Sequence, residues 1–349
     1  MLKYLILNKD IIVATIDDNT ITIINSKLCP LRFHRCSDFI GWLETRYMDK
    51  SRVNSRILKK SLHFKSNDII NNTMFINATS ITDSYWVKEV NSTLQYKDVK
   101  QYYDNKYFNT ALLGDINNLS TEPTPTPEIS NIGSYEKGWK YEDDKWNLYK
   151  KGTIYEVFSE LFTYNLAKLL NRPIAEYYKV DNNTIKTLDY TNNASVNYEP
   201  MEGLVDDNED YEFNISKLKR SDLVKQYLDI LFMDTIVMNA DRHTSNYGVL
   251  RDVDTGDIIS MAPNFDNNLS LVSFSIPNSL ERNDILVKYF NEISLPSNYQ
   301  IPLLSEEIIL KAIYLTDVKV DIDNSVIVSL CMNAYNRVVN SKLSTNPYK

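Results

Sequence analysis

Glycine is scarce in this chain, with eight in 349 residues. No G-x-G-x-x-G and no G-x-x-x-x-G-K-[ST] occurs, so neither standard glycine-rich phosphate loop is available. Cysteine is limited to Cys29, Cys36 and Cys331, without metal or redox spacing, which fits reduced thiols. Histidine numbers three, and His243 has no further His or Cys close by, which argues against a zinc site. Positive charge is in deficit, 38 Lys and Arg against 46 Asp and Glu. A phosphate backbone demands a basic surface, so no direct nucleic-acid partner is expected. Long apolar runs are missing too: none approaches the ~18 residues of a membrane span. The N-terminal apolar stretch is broken by Asn8, Lys9 and Asp10 and lacks the core of a signal peptide. A soluble cytoplasmic protein with no membrane partner is expected. At 43% hydrophobic and 24% charged residues, composition is globular, and the length allows two domains.

What is present is concentrated at Asp241-Arg242-His243-Thr244-Ser245-Asn246, followed by Phe265-Asp266. An Asp and an Asn five apart, then a second Asp beyond a hairpin, is the set that phosphoryl transfer to a hydroxyl requires. One carboxylate takes the acceptor's proton, while an amide oxygen and the other carboxylate hold Mg²⁺ against nucleotide phosphates. Residues 223–238 read as an apolar helix running into this loop, with Asp234 set among its apolar residues. Tyr247–Leu250 and Ile258–Met261 read as strands joined by the turn Asp254-Thr255-Gly256-Asp257. His243 is expected to brace the loop backbone.

Upstream, residues 3–25 alternate as two or three strands, and Asp38–Met48 reads as a short helix. Arg52, Arg56, Lys59, Lys60 and Lys65 read as a solvated helix face, with an anionic partner as the alternative. The run Thr121–Glu128, TEPTPTPE, reads as a proline-extended linker with nothing to bury. This suggests an accessory region at 1–120, a linker at 121–131, a strand-rich lobe at 132–205 and a mainly helical lobe at 206–349. Lys145–Lys150 reads as a strand and Glu156–Leu170 as an amphipathic helix. A strand lysine and a carboxylate on the following helix are what a nucleotide's α- and β-phosphates need. Lys150 is preferred to Lys151 because alternation puts it with Trp146 and Leu148. Glu160 is preferred to Glu156 as the mid-helix carboxylate. Strands with one helix, then a mostly helical half, give an α+β, two-lobed, protein-kinase-like order with an N-terminal α/β extension.

With these residues together, the chain resembles the HipA-like serine/threonine kinases, known from toxin–antitoxin systems and free-standing relatives. Asn239–Asn246 (NADRHTSN) and Ala262–Asp266 (APNFD) match that family's catalytic and metal-binding motifs. Ile132-Gly133 through Glu136-Lys137 resembles its phosphate-contacting loop. The resemblance implies Asp241 as catalytic base, Asn246 and Asp266 as Mg²⁺ ligands, and Lys150, Gly133, Ser134, Glu136 and Lys137 in contact with ATP. Glu160, His243, Asp234 and Asn239 would be orienting residues. Leu188-Asp189-Tyr190 or Tyr198-Glu199-Pro200-Met201 would supply the nucleotide hinge, with Glu199 and Met201 preferred. Ser130 and Ser134 become candidates for autophosphorylation, which would repel nucleotide phosphates from the loop. A protein substrate and an antitoxin partner are further implications. A small-molecule or phosphoinositide kinase and a non-catalytic pseudokinase are the alternatives.

Overall fold

The computed structural model describes residues 2–18, 20–65, 68–100, 104–273 and 276–344. Two compact units share the chain. The first holds Met1–Lys151, Lys186–Leu204 and Val249–Ile259; the second holds Gly152–Ile185, Val205–Gly248 and Ser260–Lys349.

The first unit opens with an antiparallel sheet in the order β3-β2-β1-β4. Its strands are β1 (Leu2–Asn8), β2 (Ile11–Asp17), β3 (Thr20–Ile23) and β4 (Tyr85–Glu89). β1 is apolar at both parities because both of its faces are covered. Ile6 joins Val13, Phe39, Trp42 and Leu43 on one side, while Leu5 and Leu7 meet Trp86 on the other. Between β3 and β4 lie α1 (Phe39–Glu44), α2 (Ser55–Ser61) and α3 (Ile69–Met74). Asp38 caps α1 by accepting the Gly41 N–H at 2.9 Å. Arg46, buried just beyond α1, is neutralised by both Asp83 oxygens at 2.8 and 2.9 Å and lies over the Trp42 ring.

After α4 (Tyr96–Val99) and α5 (Phe108–Leu113) comes a hairpin of β5 (Lys137–Glu142) and β6 (Lys145–Lys151), with Lys137 opposite Lys150. Asp143 and Asp144 both take positive φ at its tip, the geometry that suits strand twist in a two-residue turn. β7 (Tyr177–Asp181) belongs to the second unit, and β8 (Thr184–Leu188) passes from the second into the first. There Asp189 N–H donates to the Trp146 carbonyl at 3.0 Å. A three-stranded sheet, ordered β11-β10-β9, combines β9 (Val196–Pro200), β10 (Gly248–Asp252) and β11 (Ile258–Met261).

The run 121–131 is not the free linker expected from its prolines, but lies inside the first unit. Pro127–Ser130 makes a 3-10 turn, and Ile129 is buried with Tyr47, Met48 and Tyr107. Glu128 is buried as well, because Arg52 meets it with a guanidinium at 2.9 Å. The prolines stiffen a segment that still carries an apolar anchor. The boundaries expected near 120 and 132 therefore fall within one unit. The hairpin 249–259, expected in the helical lobe, belongs to the first unit instead.

The second unit begins with α6 (Ile154–Leu169), started by a capping box between Thr153 and Glu156. Then follow α7 (Glu202–Val205), where the chain crosses between units, α8 (Tyr211–Leu218) and α9 (Ser221–Val237). The remaining helices are α10 (Ile276–Ser294), α11 (Glu306–Thr316) and α12 (Asn324–Ser344). α9 is the central member: α10 and α12 pack on it, and α11 packs on α6. Tyr227–Val237 is buried without interruption, which explains why the helix is apolar all round. No helix among the described residues is long and apolar enough to cross a membrane.

Gly256, at φ +74° in the β10–β11 turn, lies against the Lys27 carbonyl, which an added Cβ would meet at 1.8 Å. Gly256→Ala should destabilise the protein by more than ~1 kcal/mol, combining left-handed strain with a backbone clash. Urea unfolding reads this, and an unchanged midpoint would contradict the close approach.

Candidate active site

The site in the second unit is built outward from the end of α9. Met238 closes the helix in the left-handed conformation, and Asn239 N–H returns to the Asp234 carbonyl at 2.8 Å. The chain then leaves helical geometry for the loop Asn239–Asn246. Asp234 is 1% exposed in an apolar helix, so its charge needs a cation. Arg242 supplies it in fork-on-fork fashion: Nε and Nη2 donate to the two Asp234 oxygens at 2.9 and 2.8 Å. Burial alone would depress the guanidinium, but the Asp234 carboxylate holds it above its ordinary value.

The rest of the fork joins two loops. Arg242 Nη1 donates to the carbonyls of Asn246 and Phe265 at 2.8 and 2.6 Å. Nη2 reaches the side-chain oxygens of Asn264 and Asn267, each at 2.8 Å. One side chain therefore fixes Asp241–Asn246 to Asn264–Asn267. Asn239 adds local control, accepting the Asp241 N–H at 3.1 Å and donating to Asp234 at 3.2 Å. Asn246 donates through Nδ2 to the Asp241 carbonyl at 3.1 Å, which turns its Oδ1 the other way.

Asp266 is held from three directions. Its N–H donates to the Tyr177 hydroxyl at 3.0 Å, its predecessor's carbonyl is held by Arg242, and its successor is held by α6. Glu160, wholly buried on α6, accepts the Asn267 N–H at 2.8 Å and its side-chain amide at 3.3 Å. Ala175 N–H donates to the Asn264 carbonyl at 2.8 Å, and Asn264 N–H donates to Pro173 at 3.2 Å, so the strand-like connection after α6 also lines this loop. Asp266 itself takes φ +59°, a left-handed conformation that Asp tolerates better than most residues. Asp241 and Asp266 stay half-exposed while everything that fixes them is buried.

Among the described residues no group of three or more His, Cys, Asp and Glu could cage a metal. Mg²⁺ takes few protein oxygens and keeps waters and substrate phosphates in its octahedron, and the side chains of Asn246 and Asp266 carry oxygens of the type it takes.

The first unit carries the remaining expected residues. Gly133 takes φ +104°, and the Lys137 ammonium lies so close that a Cβ there would meet it at 2.4 Å. Ser134 is exposed and Ser130 donates to the Pro127 carbonyl at 3.2 Å. The Glu136 carbonyl accepts Lys151 N–H at 2.8 Å, and the Lys150 ammonium stands 4.9 Å from the Tyr135 ring centre.

The Glu199 side chain is taken by structure: it pairs with Arg251 and accepts the Tyr85 hydroxyl at 2.8 Å and the Leu31 N–H at 2.6 Å. Met201 is fully buried. The carboxylate of Glu199 is thereby committed to the fold. His243 is exposed, and its contacts in the loop are backbone ones, with Asp241 and Asn246. Arg242 adds side-chain bracing of the same loop. Sequence reasoning passed over Arg242, Asn264, Asn267 and Tyr177. A signal for the first was available, since an Asp inside an apolar helix needs a cation and Arg242 is the next basic residue along the chain.

A strand hairpin, a following helix with a buried glutamate, and a braced Asp-x-x-x-x-Asn loop followed by hairpin and Asp together define a kinase-type, HipA-like fold. The chain is similar over 98% of its length, and 99% of the other's, to a structure of the Shewanella oneidensis MR-1 toxin–antitoxin system HipA, HipB and its operator DNA, at 11% identity and TM-score 0.57. A second similar structure is the Helicobacter pylori proinflammatory kinase CtkA, at 14% identity and TM-score 0.48, covering 60% of this chain and 93% of that one. No family model and no curated protein matches the sequence.

Arg242→Met should cost ~3–5 kcal/mol, because it strands the Asp234 carboxylate in the core. Chemical denaturation measures this, and a loss under ~1 kcal/mol would mean that the pair is not the anchor of the loop.

Proposed function

We propose that this protein transfers the γ-phosphoryl group of ATP to a serine or threonine hydroxyl of a protein substrate, with Mg²⁺. The observation that carries the reading is the tethering of Asp241 and Asn246 to the Asp266 loop by one buried arginine. Rigid placement of charge is nearly all that phosphoryl transfer asks of a protein.

In this reading Asp241 accepts a hydrogen bond from the acceptor hydroxyl and takes its proton as the oxygen attacks the γ-phosphorus. A new P–O bond forms while the bond to the β,γ-bridging oxygen breaks, and ADP leaves with that electron pair. Mg²⁺, when bound, neutralises charge on the phosphate oxygens. Asn246 and Asp266 are the residues that would hold it. Lys150 serves the nucleotide phosphates, with Gly133, Ser134, Glu136 and Lys137 in the phosphate-contacting loop and 198–201 supplying backbone groups as hinge. Glu160 acts as a brace of the Asp266 loop. A growth-arresting role with an antitoxin partner draws support from the likeness to a structure described as a toxin–antitoxin system.

The test is phosphate transfer from labelled ATP in the presence of Mg²⁺ by wild type and Asp241→Ala. Losing a positioned base should lower the rate about 10²–10⁴-fold, with the fold intact by circular dichroism. Wild-type rates in Asp241→Ala would refute the assignment, and label on lipid or a small molecule rather than protein would move the substrate class. Autophosphorylation belongs to the same proposal. Mass spectrometry after incubation with Mg·ATP should find phosphate on Ser130 or Ser134 in wild type and not in Asp241→Ala. An unmodified 128–140 peptide in active protein would exclude it.

A further inference from the structure

The loop assigned above to the ATP phosphates has no glycine-rich sequence to set its shape, yet it occupies a defined path. Its support comes from residues 48–53, in the N-terminal region, and centres on a buried ion pair. The side chains of Arg52 and Glu128 are 0% and 1% exposed and meet at 2.9 Å. Arg52 Nη1 donates to the Glu128 carbonyl at 3.1 Å and the Asn131 carbonyl at 3.3 Å, and Nη2 donates to the Lys137 carbonyl. Thus one guanidinium holds Glu128, three residues ahead of the loop, together with the loop's first residue and its last. Glu128 complements this from the other side, accepting the Trp139 N–H at 2.6 Å and the Asn131 side-chain amide at 3.2 Å. Two backbone bonds flank the pair: Met48 N–H to the Ile129 carbonyl at 2.6 Å and Val53 N–H to the Ser134 carbonyl at 3.0 Å.

We infer that Arg52, with Glu128, is a positioning residue that holds the phosphate-contacting loop 131–137 in its nucleotide-binding shape. The inference rests on the proposed kinase reading of that loop. Buried ion pairs contribute little net stability compared with apolar residues of the same volume, so stability alone is a weak reason for one here. What an apolar pair could not do is gather three carbonyls from both ends of a loop. Lysine could not do so either, since it lacks the planar fork that serves several acceptors at once. Fixing the loop's two ends removes conformations that ATP would otherwise have to suppress on binding.

The experiment compares the full chain as wild type, Arg52→Lys, Glu128→Gln and Arg46→Lys. The last is a control: Arg46 is also buried in the same unit, but its partners are Asp83, Ala78 and Tyr85. Amide hydrogen exchange over 129–139 and steady-state kinetics in ATP are measured on each. Arg52→Lys should exchange there about ten-fold faster or more, and raise KM for ATP about ten- to a hundred-fold, with kcat at saturating ATP changed far less. Glu128→Gln should follow in the same direction, and it carries the test if Arg52→Lys fails to fold. Arg46→Lys should leave both loop exchange and KM as in wild type. Wild-type exchange in both loop variants, an unchanged KM, or equal loosening in Arg46→Lys would overturn the inference. If wild type neither binds nor turns over ATP, the kinase reading fails by itself. The exchange comparison then still decides whether Arg52 holds the loop.

Discussion

The ion pair between Asp234 and Arg242 is the constraint on which the second unit's site depends. It places a full negative charge inside an apolar helix, where only a well-matched cation can tolerate it. The guanidinium that answers it still has donors to spare, and these reach the carbonyls of Asn246 and Phe265 and the amides of Asn264 and Asn267. A stability requirement in the helix is thus converted into positional precision in two loops. Asp241 and Asp266 remain half-exposed while the atoms around them are fixed from beneath.

The same device recurs three times in the first unit, once where Arg46 pairs with Asp83 and donates to the carbonyls of Ala78 and Tyr85. Arg52 pairs with Glu128 and gathers the ends of the loop 131–137. Arg251 pairs with Glu199 and donates to the carbonyls of Lys27, Cys29 and Gly256, tying β9 and the β10–β11 turn to the segment before α1. Each case is a buried arginine whose charge is met by one carboxylate and whose remaining donors collect backbone oxygens. Irregular segments gain from this, because their carbonyls have no sheet or helix ladder to satisfy them. The glycine shortage has a related explanation. Left-handed turns are made largely by Asn and Asp, among them Asn54, Asn77, Asp143, Asp144, Asn192 and Asp266. These are the side chains that tolerate that conformation best after glycine.

Local chemistry was legible in the sequence wherever one segment carried the whole signal. The apolar helix before Asp241, the hairpin after Asn246 and the helix after Lys150 all stand close to where periodicity placed them. What periodicity could not express was long-range pairing. The proline run 121–131 read as solvent-exposed because nothing local revealed that Arg52, 76 residues earlier, would bury Glu128. That the Glu199 side chain would be taken by Arg251, 52 residues on, was equally hidden. His243 drew attention by its rarity, while the common-looking Arg242 beside it carries the loop. Buried charges recruit partners by geometry, and sequence spacing is silent about that.

The proposed phosphoryl transfer requires that the Arg242-tied loops present Asn246 and Asp266 as protein ligands of one Mg·ATP, with Asp241 facing its terminal phosphate. A crystal structure of the full chain with Mg²⁺ and a non-hydrolysable ATP analogue tests this most directly. It should show a cation at about 2.0–2.1 Å from Asn246 Oδ1 and an Asp266 carboxylate oxygen, with the γ-phosphate nearest Asp241. Nucleotide bound elsewhere, or a cation held by other residues while both loops keep their present bonds, would contradict it.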